Sequence, residues 1–576
     1  RRVALFAAAS AVLLLLLHRE PLHTPGRILE WWPQLQGRPE LRTLRESALY
    51  WGAGAFLAMT TGTLLAALEP RRRRASSSHG SAEWGTGDEF RQRRTERRRM
   101  RREGGRGNGS LLIGRHRDGS LLWYSGASHL LTMAPTRSGK GVGTVIPNLL
   151  TYPGSVLCTD VKGENFAVTH RQRRRLGQEV YALDPFEVTG GGMASGTPGP
   201  SCRARFNPLA TVATLGPRKS FGRDDAQAIS EALILEGTGE NRHWIDEART
   251  MVTGFILYVC WMFDADAGDL FTVRMPFGRD LLAVRHLITL PEAELESVLD
   301  EMSRCPHPQV ARTAALLCQK DPRERSGVIS SAQSQTAFLD SPQMASVLAD
   351  RIGGVPNPLP CADLFRIREA GVRQTVYLVI PPSYLESHAA WLRVVIVCVQ
   401  GIVTRDTSPP DHRILLLLDE FANLGKIEAV RRGISLTGGY GVAYWLIVQD
   451  LSQVDAVYGK GWGTIFANTD VKQLFGTNDL RTAKELSELA GKTTVYTDSG
   501  SSGRGADATG LLRRTMNIGE TLSEKDRPLL LPDEVLRLDA GYQLLLVRGS
   551  GPLIVPRLNY LEMRELEGLH SPNPMY

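Results

Sequence analysis

The chain has 576 residues, 42% of them hydrophobic and 22% charged, with a formal net charge of +7. That length is too great for one ordinary domain, and the composition excludes a disordered, collagen-like or disulfide-scaffold protein. Seven scattered cysteines without a C-x-x-C pair weigh against a structural zinc site or redox motif, and make a reducing compartment the default for the soluble part.

The first apolar run, Val3 to Leu17, follows Arg1 and Arg2. The residues after it, HREPLHTP, offer no small-x-small cleavage site, so the run predicts a first membrane helix rather than a signal peptide. There is no initiator Met, so further residues are expected upstream. Ser47 to Leu68 carries no charge. As a helix rising about 1.5 Å per residue it spans roughly 30 Å, the thickness of a bilayer core. Its Gly52, Gly54, Thr60, Thr61 and Gly62 are small residues of the kind membrane helices tolerate. A buried core helix is the bland alternative, and Arg71–Arg74 directly after it favour the membrane. With both Arg groups inside, residues 1–70 form a transmembrane hairpin with helices at about 3–17 and 47–68. The expected topology is then multi-pass, with the bulk of the chain cytoplasmic.

Residues 71–106 hold thirteen Arg, no Lys and five Asp or Glu, a net of +8, so everything else is near neutral. The basic excess is local. It predicts an Arg-rich cytoplasmic linker over 71–109 that fixes topology and holds anionic lipid at about 1 kcal/mol per residue near the surface. DNA contact by the same arm is secondary, and DNA binding by the chain from residue 110 onward should be weak and fall steeply with salt.

Beyond the linker, strand-like runs alternate with helical stretches, the pattern of an α/β unit with a mostly parallel sheet. The runs are His129–Met133, Ser155–Thr159 and Glu179–Leu183, then Thr375–Ile380, Ile414–Leu418, Val442–Val448, Val471–Phe475 and Tyr542–Val547. Between these groups, over 207–371, the spacing is helical, which predicts an all-α insertion. The α/β unit is therefore split into 110–206 and 372–576. Residues 498–510, DSGSSGRGADATG, have almost no apolar content and predict a mobile loop.

The strongest chemical signal is APTRSGKGVG, Ala134 to Gly143, directly after a short strand. A phosphate-binding loop needs glycines so that backbone N–H groups can face phosphates, a lysine for the β/γ oxygens, and a following helix N-terminus. The candidate nucleotide-binding segment is Thr136, Arg137, Ser138, Gly139, Lys140, Gly141 and Val142. Two places depart from G-x-x-x-x-G-K-[ST]: Ala134 stands for the first Gly, and Gly141 for the Mg²⁺-binding hydroxyl. Pro147 should kink or end the helix early. The bland alternative is a Gly-rich turn with an exposed lysine.

A second signal is ILLLLDEF, Ile414 to Phe421: a buried strand with two carboxylates at its C-terminal end, where ligands bind in open α/β sheets. Asp419 would hold Mg²⁺, directly or through water, and Glu420 would polarise an attacking water. YWLIVQD, Tyr444 to Asp450, ends another strand with Gln449, suited to sensing the γ-phosphate or positioning water. Asp160 ends the strand taken to lie next to the phosphate loop. It either touches Mg²⁺ or caps the helix that follows.

These residues, with DVKGENF, LDPF, FNPL, LLLLDEFANLGKI, GYGVAYWLIVQDLSQ, TIFAN and FGTND in that order, resemble the TraG-like coupling proteins, the ATPases of type IV secretion and conjugation systems. The resemblance runs from the membrane helices to LLLPDEVLRL near residue 538. It implies a RecA-like P-loop NTPase domain with an inserted all-α domain and two N-terminal transmembrane helices. It also implies ATP and Mg²⁺, and a homo-hexameric ring. The implied partners are relaxase-bound single-stranded DNA or protein effectors, and inner-membrane components of the secretion channel. Lys140, Asp419, Glu420 and Gln449 take the family's ATPase roles by position. The family's loop also tends to read GKG, which suits Gly141, and Val161 stands where relatives commonly have Pro. No motif identifies an arginine acting on a neighbour's ATP; Arg431 and Arg432 are candidates. The competing reading is a membrane-anchored receptor that binds nucleotide for assembly without powering translocation. Glu420, dispensable for mere binding, favours the motor.

Overall fold

A computed structural model describes residues 80–91, 109–190, 202–215, 222–236, 242–265, 276–352, 354–405, 410–503 and 517–575. The expected membrane helices at 3–17 and 47–68, and the Arg-rich segment apart from 80–91 and 109, lie outside them. Residues 80–91 run along the body of the protein: Ala82 N–H donates to Lys492 C=O at 2.9 Å and Gly85 N–H to Pro552 C=O at 2.9 Å.

The strands, in chain order, are β1 (Leu111–Arg115), β2 (Leu121–Tyr124), β3 (His129–Met133), β4 (Val156–Asp160), β5 (Glu179–Leu183), β6 (Arg351–Ile352), β7 (Val355–Pro356), β8 (Gln374–Val379), β9 (Ile414–Leu418), β10 (Val442–Val448), β11 (Thr469–Leu474), β12 (Lys492–Gly503), β13 (Asn517–Pro528), β14 (Tyr542–Val547) and β15 (Leu553–Pro556). Nine of them form one sheet in the order β15-β14-β11-β3-β10-β9-β4-β8-β5. From β11 to β5 every pairing is parallel; β14 and β15 add an antiparallel edge. The central strands are apolar on both faces, as a sheet covered by helices on each side requires.

All eight runs read as strands are strands, within a residue or two at their ends. Their order differs from the expectation in one respect. β4, which carries Asp160, is not beside β3; β10 and β9 lie between them. Chain neighbours are sheet neighbours only about two-thirds of the time, and here two strands formed later in the chain occupy the gap.

A buried polar row sets the register beneath the loop strand. Trp445 Nε1 donates to Thr132 Oγ1 at 2.8 Å, Thr132 Oγ1 donates to Gln473 Oε1 at 2.9 Å, and Gln473 Nε2 donates onward to Gln543 Oε1. The row crosses β10, β3, β11 and β14. Sliding any one strand by a residue would turn its member away and strand the others without partners.

Helices fill most of 222–348, among them Gly222–Leu233, Arg242–Asp264, Leu281–Ile288 and Pro322–Thr336. Their buried faces belong to the same apolar cluster as the helix Pro382–Arg405 and one face of the sheet. That helix is the one described helix long and apolar enough to cross a bilayer, and it is a core element, 72% buried over its apolar window.

Within 498–510 only 498–503 are described, and these depart from the loop expectation; 504–510 lie outside the described residues. Residues 498–503 continue β12, paired with β13 from Asp498 against Leu522 to Gly503 against Asn517. Ladder hydrogen bonds join backbones, so a run of Ser and Gly can pair without apolar side chains.

Candidate functional site

β10 lies between β3 and β9, so the segments leaving their carboxyl ends converge. The loop leaves β3, Gln449 follows β10, and Asp419-Glu420 follow β9. Ala134 N–H donates to Val448 C=O at 2.9 Å, extending the ladder one residue before the loop departs. This is where ligands bind in open parallel sheets.

The loop's shape depends on two left-handed residues, Arg137 at φ 63° and Gly139 at φ 84°. A Cβ on Gly139 or Gly141 would meet nothing within 4 Å, so the loop faces open space there. Gly143 is the opposite case: a Cβ would come within 2.7 Å of Leu558 C=O. The helix after the loop opens with a wide turn, Gly141–Val145, and continues as an ordinary α-helix over Ile146–Thr151. The widening eases the clash of the Pro147 ring with the carbonyl four residues back. The helix is accordingly short.

Lys140 is the hub. Its Nζ lies 2.7 Å from Asp419 Oδ1 and also donates to Glu420 Oε1. Glu420 Oε2 accepts from Gln449 Nε2 at 3.3 Å and from Asn423 Nδ2 at 3.1 Å. Burial alone would push the Lys140 ammonium down, but the two carboxylates hold it above its ordinary value. Burial pushes Asp419 up against the pull of Lys140. Glu420 itself has φ 54°. Of the three non-glycine residues with positive φ among those described, two flank this site, which is where backbone strain of about 1–3 kcal/mol tends to be kept.

The structure therefore brings together Lys140, Asp419, Glu420 and Gln449. Thr136 and Arg137 are exposed at the outer side of the loop. Ser138 Oγ is buried without a partner. Val142 C=O accepts from Tyr560 N–H at 3.3 Å. Asp160 is a cap: its Oδ2 accepts from Phe166 N–H at 2.8 Å at the start of the helix Glu164–Arg175. Burial pushes it up to about 7 despite that bond. Arg431 and Arg432 lie on the short helix Glu428–Gly433, with Arg431 Nε donating to Glu428 at 2.7 Å, and neither bonds the loop or its carboxylates.

Three further participants have no role assigned to them by the motifs. Asn423 braces Glu420, as above. Thr159 Oγ1 donates to Asp419 C=O at 3.0 Å, tying β4 to the strand end. Arg557, past β15, donates to Ser138 C=O at 2.8 Å, to Tyr542 C=O at 2.7 Å and to Phe475 C=O. It staples the loop to the antiparallel edge. The only trace of it in the sequence is an arginine just after an apolar strand.

A phosphate loop, a strand-end carboxylate pair and an intervening polar strand end on a parallel sheet define an α/β P-loop NTPase fold. A family model described as Type IV secretory system Conjugative DNA transfer matches residues 87–574, and the chain belongs to that family. The chain is 28% identical to Conjugal transfer protein TraG of Escherichia coli over 447 residues, 73% of this chain and 64% of that protein. It is 29% identical to Protein VirD4 of Agrobacterium fabrum over 464 residues, 78% of this chain and 61% of that one. It thus spans a little over three-fifths of these curated relatives. Among solved structures, the unbound bacterial conjugative coupling protein TrwB superposes with TM-score 0.54 at 16% identity, covering 80% of this chain and 90% of that one. TrwB in complex with ADP and Mg²⁺ gives TM-score 0.54 at 15% identity, covering 83% and 96%. At such identity the likeness is one of fold.

Proposed function

We propose that the chain is a membrane-anchored ATPase coupling protein. It recruits relaxase-bound single-stranded DNA, protein substrates or both to a type IV secretion channel and drives their transfer by ATP hydrolysis. The observation that carries this reading is the convergence of Lys140, Asp419, Glu420 and Gln449 at three adjacent parallel strand ends, in a chain of the conjugative DNA transfer family.

The residues suit ATP and Mg²⁺. Open space over Gly139 and Gly141 admits phosphates, the unpartnered Ser138 hydroxyl can meet them, and two carboxylates supply a hard oxygen donor set. The resemblance of fold to TrwB, solved with ADP and Mg²⁺, supports the same ligands. Thr136 to Val142 cradle the phosphates through backbone N–H groups. Lys140 leaves Asp419 and Glu420 for the phosphate oxygens. Asp419 holds Mg²⁺, which when bound neutralises charge on the phosphates. Glu420, released by Lys140, orients and polarises the attacking water, and Gln449 reports the γ-phosphate to β10. A homo-hexamer in the bacterial inner membrane, with channel components and anionic lipid as neighbours, belongs to the same reading. It is supported by the sequence resemblance and the charge pattern of residues 1–106.

The test is DNA-stimulated ATP turnover of the full chain beside Lys140→Ala and Glu420→Gln. Both variants should fall by about 10²–10⁴-fold, with Glu420→Gln still binding ATP. Equal turnover in all three proteins would show the site to be misassigned. Turnover near zero in the wild type, with cargo capture and transfer intact in Glu420→Gln, would favour the receptor that uses nucleotide only for assembly.

A further inference from the structure

A second site lies behind the carboxylate loop. A cavity of about 200 Å³ opens between the helices Gly222–Leu233, Arg242–Asp264 and Pro382–Arg405 and the segment 426–432. Its apolar wall includes Ala228, Val397 and Ile427. Four cations also line it, Arg249, Arg393, Lys426 and Arg432, against three carboxylates, Glu231, Glu236 and Glu428.

The charges are not evenly matched. Lys426 Nζ takes up Glu236 at 2.6 Å and Glu428 at 2.8 Å, and Glu428 is shared with Arg431 at 2.7 Å. Glu231 accepts from Gln227 at 2.9 Å. Arg393 is only 4% exposed, and no carboxylate among the described residues pairs with it. Its Nε donates to Ala232 C=O at 2.9 Å and its Nη1 to Leu424 C=O at 3.0 Å, which leaves N–H donors of the guanidinium over, and the residue lines the cavity. A buried cation without a counter-charge is costly, and burial pushes this guanidinium down to about 10. An anion in the cavity would relieve that cost.

We propose that this cavity binds a carboxylate carried on a small aliphatic body, either a free short-chain acid or the C-terminus of a polypeptide, received by Arg393. The planar guanidinium suits a carboxylate. The lining favours a monoanion over a doubly charged phosphate, because four cations against three carboxylates leave a surplus of one. The apolar wall takes the aliphatic part. Leu424 closes the turn Phe421–Leu424 that Glu420 opens, so a ligand engaging Arg393 acts on the loop that carries Glu420. This regulatory consequence rests on the ATPase reading; binding itself does not.

The test measures binding by calorimetry on the purified full chain without nucleotide. The probes are isovalerate, N-acetyl-alanyl-leucine, its C-terminal amide and inorganic phosphate. Binding of either carboxylate is expected, with the amide and phosphate at least tenfold weaker. The tighter of the two carboxylates identifies the source. Arg393→Lys and Ala228→Phe, which fills the cavity, should each weaken binding at least tenfold while melting as cooperatively as wild type. Arg432→Ala, at a residue 65% exposed, provides a variant that keeps the fold and should weaken binding two- to fivefold. No heat with either carboxylate, equal binding of the amide, tighter binding of phosphate, or undiminished binding in Ala228→Phe would each overturn the proposal. A carboxylate that binds without altering ATP turnover would remove the regulatory consequence alone.

Discussion

Lys140 and Arg393 are both cations withdrawn from water, and the protein holds them in opposite ways. Lys140 meets two carboxylates, each of which has further partners. Arg393 meets two main-chain carbonyls and no carboxylate among the described residues. The first arrangement sets one cation against two carboxylates, so its charge is already answered and an anionic ligand must displace contacts that already exist. The second is left charged and can accept an anion without displacing anything. On the proposed reading, the nucleotide site is thus built for exchange, and the cavity behind it for capture.

The largest effect expected from this contrast is at Lys140. Replacing it with Met leaves Asp419 and Glu420 buried beside each other without a counter-charge, and should lower stability by about 4 kcal/mol at neutral pH. Urea unfolding of the variant at pH 7.5 measures this. A loss under ~1 kcal/mol would mean that the carboxylates are not held by the lysine. Arg393→Met removes a charge whose partners are carbonyls, so it should cost less, about 3 kcal/mol, chiefly from leaving Ala232 C=O and Leu424 C=O unmet. A loss larger than that at Lys140 would reverse the comparison.

The next effect concerns pH. His129, at the start of β3, accepts from Tyr444 N–H at Nδ1 (3.1 Å) and donates from Nε2 to Ile434 C=O (2.7 Å). Both nitrogens are used in the neutral form. Burial pushes the imidazole down to about 4. The unfolded chain therefore takes up this proton first: the contribution is fully present above about pH 6.5 and is lost as pH falls toward 4. By pH 5 the loss amounts to about 2 kcal/mol. His129→Gln should flatten the pH dependence of the unfolding midpoint between 7 and 5. A slope equal to wild type would assign the dependence elsewhere. The smallest effect compares strained backbones inside and outside the site. Glu187, at φ 57°, is 68% exposed and, among the described residues, pairs with Arg203 at 2.9 Å. Glu187→Gly should raise stability by about 0.5–1 kcal/mol with ATP turnover unchanged, because a surface ion pair contributes little against the left-handed strain. A loss of stability would mean that the pair matters more than the backbone.

Much of this architecture was legible from the chain alone, and the exceptions share a cause. Long apolar runs such as ILLLL and VAYWLIV are unambiguous because burial on both faces requires them. The four-residue β2 and the short β1 pair with each other outside the main sheet, and neither stands out from its surroundings. Sheet order depends on which strands meet in three dimensions, so β4 could be recognised as a strand without its neighbours being known. The same holds at the site. Lys140, Asp419, Glu420 and Gln449 each follow a strand in a characteristic pattern. Arg557 reaches Ser138 from 419 residues away through carbonyls, which have no sequence signature. Two of the motifs that carried the resemblance have structural work: Asp184 of LDPF accepts from Val188 and Thr189 N–H, and Asn207 of FNPL accepts from Leu209 N–H. Such bonds hold loops in place, so a motif can mark a family without marking its chemistry.

The helix Pro382–Arg405 has a consequence for biosynthesis. As it emerges during translation it is long and apolar enough to be mistaken for a membrane span. Arg393 stands near its midpoint, and a guanidinium at that depth raises the free energy of insertion by about 2.5–3.5 kcal/mol. The side chain that binds two carbonyls in the finished protein therefore also biases the nascent segment toward the aqueous compartment, where the sheet it must pack against is being made.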